Sequence, residues 1–142
     1  MRNIKEIVVH CTASPDYMDI GAKTIKDWHV NGNGWSDIGY HYVVRRNGEI
    51  EKGRPDDIAG AHARGVNATS IAVVWVGSYD VSPEQMKSMT SLLSFLMGKY
   101  SVPIEKVLGH REAVKTSKTC PNLNMDKLRA ELVFIQPTPK VR

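Results

Sequence analysis

"IKEIVVH", residues 4–10, is a short apolar run rich in β-branched residues, and it ends on a histidine. With "SIAVVWVGS" at 70–78 as its later counterpart, it reads as a strand that buries at least one face. Outward from it, "AKTIKDWHV" places Ile25, Trp28 and His29 at helical spacing, with Thr24 as the expected N-cap and "NGNG" as the stop. "YHYVVRRNGEIEKGR" reads as a hairpin closed by an Asn47-Gly48 turn that tolerates positive φ. "SPEQMKSMTSLLSFLMGKY" opens a helix with Ser82 as N-cap, Pro83 at the first helical position and Gln85 completing a capping box, and Gly98 lies near its end. Met86, Met89, Leu93 and Leu96 mark one apolar stripe, read as core packing rather than as a methionine binding face. "VLGH", 107–110, is a brief extended piece, and "NMDKLRAELVFI" is a last helix with Leu128 and Leu132 on one face. Strands interleaved with helices predict an α/β fold, a mixed central β-sheet flanked by helices.

A chain of 142 residues has the length of one domain, able to bury roughly 70% of its unfolded surface. Hydrophobic residues at 42% and charged ones at 24% exclude wholesale disorder. The expected domain covers residues 1–136, with "PTPKVR", 137–142, as a basic tail frayed behind two prolines. Two cysteines are too few for a secreted disulfide scaffold. The N-terminus lacks the pattern of a signal peptide and no run is long enough to span a membrane, so synthesis in the cytoplasm is expected, with release by another agent. The net charge of +4 is small and scattered. Without a stacking-aromatic motif or a recognition helix it predicts no nucleic-acid partner.

"GHREAVKTSKTC", 109–120, brings a histidine, a lysine and a cysteine into one polar run. Catalytic zinc takes three protein ligands and keeps a fourth position open. His10 at a strand end, His110 after an extended piece and Cys120 in the following loop could supply a His₂Cys set. No C-x-x-C or H-E-x-x-H pattern fixes that geometry, so spacing alone leaves a structural reading open. Cys11 follows His10 on a strand and points to the opposite face, which makes it a small core residue. His29 and His41 sit beside aromatic residues and read as structural. Ser14 and Ser70 have no Ser-His-Asp arrangement around them.

Five blocks, "VVHCTAS" at 8–14, "GWSDIGYHYVV" at 34–44, "AGAHARGVNATSIAV" at 59–73, "GHRE" at 109–112 and "KTCP" at 118–121, together resemble the zinc-dependent N-acetylmuramoyl-L-alanine amidases, the family of phage lysozyme-amidases and peptidoglycan recognition proteins. The resemblance implies a Zn²⁺ held by His10, His110 and Cys120. The substrate it implies is bacterial peptidoglycan, at the amide joining N-acetylmuramic acid to the L-alanine of the stem peptide. Family catalytic positions fall on Tyr40 and Lys118, and His62, Asn67 and Thr69 fall in the loop that borders the groove in relatives, where they are expected to bind substrate. A zinc-activated water would attack, Lys118 would meet the developing oxyanion, and Tyr40 would hold the water or the amide.

Two departures sharpen the resemblance. The muropeptide-recycling branch carries a glutamate base on the strand after "SI", where this chain has Val74, so the tyrosine-bearing lysozyme branch is the nearer match. Ala72 stands where glycine is common. Glu112 is expected to be a solvated surface residue, with a supporting role beside His110 or service as a spare base as the alternatives. The reading is thus a phage endolysin, expected as a monomer; the rival is a recognition module that binds peptidoglycan without hydrolysis, against which the full ligand set with Tyr40 and Lys118 argues. Some phage members also inhibit the phage RNA polymerase, but only nine residues precede His10, leaving little extension for that partner.

Overall fold

The computed structural model describes residues 2–132 and 141. Its five strands are β1 (Glu6–Cys11), β2 (Tyr42–Val44), β3 (Ile50–Lys52), β4 (Ser70–Trp75) and β5 (Val107–Gly109), arranged β3-β2-β4-β1-β5. Only the β2–β3 hairpin is antiparallel; β1 pairs in parallel with β4, with Glu6 opposite Ser70 and His10 opposite Val74, and with β5. Among the described residues four α-helices complete the fold: α1 (Ala22–Asp27), α2 (Pro83–Tyr100), α3 (His110–Ala113) and α4 (Met125–Leu132). The mixed sheet with helices on its faces is the architecture the element order predicts.

Strand alternation sorts the core into two layers. Ile7, Val9 and Cys11 of β1, Tyr42 and Val44 of β2, and Ile71, Val73 and Trp75 of β4 face Met89, Leu92, Leu93 and Leu96 of α2 and Leu128 and Leu132 of α4. On the other side Val43 and Val74 pack with Ile20, Ile25, Ile38 and Val76 beneath α1. α2 carries the predicted capping box: Ser82 Oγ accepts from Gln85 N–H, and Gln85 Oε1 accepts from Ser82 N–H. Leu92, outside the stripe read from the sequence, is as fully buried as Leu93.

Several local expectations are corrected. Gly21, not Thr24, precedes α1, and the free Ala22 N–H is taken by Glu51 Oε1 of β3 at 2.8 Å, so the cap comes from a distant strand. The helix then continues through one π-helical turn, Trp28–Gly32. In the hairpin the Gly48 N–H donates to Arg45 O and Gly48 alone takes positive φ, at 90°, while Asn47 braces the turn by accepting from Glu49 N–H. This is a three-residue loop with glycine at the left-handed position rather than a two-residue Asn-Gly turn. β4 stops at Trp75, short of residue 78, because the Gly77 N–H goes to Thr12 Oγ1 instead of a ladder partner. Gly98 does lie near the end of α2, as read, and the left-handed cap is Ser101 (φ 54°), with Val102 N–H closing onto Met97 O. The expected helix residues Phe134 and Ile135, and the 137–142 tail apart from Val141, lie outside the described residues; Val141 makes an isolated parallel bridge to Ile50.

Candidate active site

β1 and β5 end side by side, and this common edge collects the polar residues. His10, the fifth residue of β1, points to the α1 side and is 2% exposed. His110 opens α3 directly after β5, and its ring centroid lies 4.6 Å from that of His10. Cys120 arrives from the loop beyond α3, held by Arg111 N–H donating to Cys120 O and by Trp75 Nε1–H donating to Pro121 O at 3.0 Å. One nitrogen from each histidine and the Cys120 sulfur all lie within 4.8 Å of one another. Tetrahedral zinc with bonds of about 2.0–2.3 Å asks for ligand separations of roughly 3.3–3.8 Å, so the three donors need close by only ~1 Å around the ion.

The protonation of the two histidines suits that task. Burial, then the neighbouring His62 and His110, holds His10 well below the ordinary histidine range, and burial followed by the Lys118 charge lowers His110. Both rings are therefore neutral at pH 7, with a lone pair to give. Cys11, 5% exposed, faces the α2 layer as strand alternation predicts, yet it touches the site from behind. Its backbone N–H donates to Cys120 Sγ at 3.1 Å. The hydrogen bond between the two thiols draws Cys11 down to about 7 and, joined by burial, pushes Cys120 up.

Tyr40 stands against the cluster with its ring centroid 5.2 Å from that of His10, and its hydroxyl makes no hydrogen bond among the described residues. Burial, then the two cysteine sulfurs, keeps its phenol protonated far above neutrality. Position is set by the residue before it: Gly39 N–H donates to His29 Nδ1 at 2.9 Å, and a Cβ at Gly39 would fall 2.3 Å from Ala61 O. Only glycine lets the 59–62 loop approach this closely. His29, read from sequence as a packing residue, thus anchors the turn that presents Tyr40, and its ring also meets that of Trp35 at 4.7 Å. Lys118 is exposed, near enough for its charge to help lower His110 and to oppose in part the rise at Cys120, and its ammonium makes no ion pair among the described residues.

Residues 1–123 match the N-acetylmuramoyl-L-alanine amidase family. The chain belongs to that family. It is 35% identical to the endolysin of Enterobacteria phage K11 over 86% of this chain and 83% of that one, and 36% identical to the endolysin of Escherichia phage T7 over 85% and 82%. Among solved structures, the N-acetylmuramoyl-L-alanine amidase LysC from Clostridium intestinale URNW superposes with a TM-score of 0.82 at 33% identity, covering 93% of this chain and 87% of that one.

Within this amidase the loop residues expected to bind substrate turn inward. His62 Nδ1 meets His10 Nε2 at 2.9 Å and His62 Nε2 meets Ser70 Oγ at 2.9 Å, so neither ring nitrogen is left for a substrate. Asn67 Oδ1 accepts from the N–H groups of His62 and Ala63, and the Thr69 hydroxyl donates to Glu6. His41 is structural as expected: Nδ1 accepts from Ala72 N–H, and Nε2 bonds Ile58 O at 2.8 Å. Glu112 is not merely solvated. Its Oε1 accepts from Gly109 N–H at the start of α3, and Arg129 holds both its oxygens at 2.8 and 3.0 Å. Val74, opposite His10 on β4, is fully buried in the apolar layer, so that place holds hydrocarbon rather than a carboxylate. Ser70 is the residue whose part sequence reading missed, because its partner sits eight positions away in a loop.

Proposed function

We propose that this amidase is zinc-dependent and hydrolyses the amide between the lactyl group of N-acetylmuramic acid and the L-alanine of the stem peptide, as an endolysin acting on the wall after release from the cytoplasm. The observation that carries the reading is the convergence of His10, His110 and Cys120 at the edge of β1 and β5. The neutral histidines and the thiolate of Cys120 would hold the metal. A zinc ion bound there supplies Lewis acidity for the scissile carbonyl and lowers the pKa of water to roughly 7.

The chain's own side chains do the rest. Lys118, exposed and without an ion pair among the described residues, brings a positive charge to the carbonyl oxygen as negative charge develops on it. Tyr40 keeps its proton at neutral pH, so its hydroxyl acts as a donor that orients the amide or the attacking water. As water adds to the carbonyl carbon and the C–N bond breaks, the leaving alanine nitrogen takes up the proton that the water gives. His62, Asn67 and Thr69 position the site from behind, and substrate meets Tyr40 and the exposed Trp35.

Digestion of purified sacculi followed by mass spectrometry tests this reading. Free stem peptides beginning at L-alanine are expected. New reducing sugar ends would mean glycosidase action, and tight binding without any release would mean a recognition module.

A further inference from the structure

The contacts behind His10 fix more than its place. Ser70 Oγ lies 2.7 Å from the Val66 carbonyl oxygen and 2.9 Å from His62 Nε2, and His62 Nδ1 lies 2.9 Å from His10 Nε2. A carbonyl oxygen only accepts, and a hydroxyl has one proton. Ser70 therefore donates to Val66 O and must accept from His62 Nε2–H. A neutral imidazole carries one proton, so His62 Nδ1 is then an acceptor and His10 Nε2–H its donor. His10 Nδ1 is left as the nitrogen with a free lone pair.

We infer that the Val66 carbonyl, Ser70 and His62 form a proton-ordering chain that sets the tautomer of His10, presenting Nδ1 to the metal. His62 and Ser70 are positioning residues in this account, and the inference rests on His10 being a zinc ligand. Two further observations support it. Ser70 is fully buried and His10 nearly so, leaving little room for water to substitute for a missing partner. The His62 ring stands between those of His10 and His41, at 5.0 and 6.2 Å, and both its nitrogens are spent on His10 and Ser70 rather than on a carboxylate that would hold a second proton. Without the Ser70 acceptor, His62 could place its proton on Nδ1. That would force His10 to accept at Nε2 and carry its own proton on Nδ1, where the metal must go. Partners that hold the far nitrogen of a ligand histidine are typically worth ~10–100-fold in metal affinity or activity.

The test uses the full chain and two readouts. Two-bond ¹H–¹⁵N spectra of the metal-free protein report each histidine tautomer, and competition against a chelator reports zinc affinity. The expected result is an Nε2–H tautomer for both His10 and His62 in the wild type. Ser70→Ala and His62→Phe should each weaken zinc by ~10–100-fold, whereas His62→Asn, whose amide oxygen stands where Nδ1 stood, should lose less than His62→Phe. A His10 proton on Nδ1 in the metal-free wild type overturns the inference, and that spectrum decides even where a variant does not fold. Unchanged zinc affinity in folded Ser70→Ala and His62→Phe also overturns it. A wild type that shows these tautomers and binds no zinc contradicts the zinc reading of the site instead.

Discussion

On the α2 side of the sheet, Ile7, Val9, Ile71 and Val73 meet Met89, Leu92, Leu93 and Leu96, side chains whose contacts are non-directional. On the other side, one residue along the same strands, His10 and Ser70 meet His62, and each contact there needs a particular atom to carry a particular proton. The apolar layer tolerates exchange of shape for shape; the imidazole layer does not. Substitutions in the first should therefore act on folding and leave the chemistry of folded molecules alone, while substitutions around the second should act on metal and turnover with little change in melting.

The largest separation between the two is expected at the catalysts. Lys118→Ala should keep zinc and the native melting temperature yet slow single-turnover hydrolysis ~10²–10³-fold, the scale of a lost oxyanion donor. Tyr40→Phe should behave similarly, since it removes only the hydroxyl. Unchanged turnover in both would strip these residues of their roles. Leu93→Ala, on the opposite layer, should cost about 2–5 kcal/mol in urea denaturation, with zinc affinity and turnover per folded molecule at wild-type values. A loss of zinc affinity there would mean the layers are coupled.

A third prediction concerns pH. Burial holds the fully enclosed His41 down to about 4, against an ordinary value near 6.5. The unfolded chain takes up this proton below about 6.5 while the folded chain refuses it until about 4, so stability is full above that window and lost as pH falls through it. From His41 the loss approaches about 3 kcal/mol, read as a falling urea midpoint of the metal-free protein between pH 6.5 and 4. A flat midpoint would contradict a neutral, buried His41. The smallest effect is expected at Cys11→Ser, which keeps the backbone N–H that reaches Cys120 Sγ. It should retain zinc and cost ~1 kcal/mol of packing; zinc loss equal to that of Cys120→Ser would show that both thiols bind the metal.

What could be read from sequence follows the same division. Periodicity and local signals located β1, β4, the capping box of α2 and the opposed faces of His10 and Cys11, because those depend on neighbours within a few residues. They misplaced the start of α1, whose cap is Glu51, and gave no sign that Ser101 takes the left-handed turn after α2, although the helix ends at Tyr100 where the stretch was read to end. Spacing offered His10, His110 and Cys120 as one possible set, and the five family blocks singled them out. The inward turn of His62, the part of Ser70 and the clasp of Glu112 by Arg129 were not legible, since each is a pairing across a fold that spacing does not encode.

Elemental analysis of the purified protein beside its Cys120→Ser variant tests the central claim most directly, with hydrolysis of sacculi measured on the same samples. The account predicts about one zinc per chain in the wild type, lost together with activity in a folded Cys120→Ser and after chelation, and restored to the wild type on adding zinc back. Full hydrolytic activity in folded protein that carries no metal would contradict it.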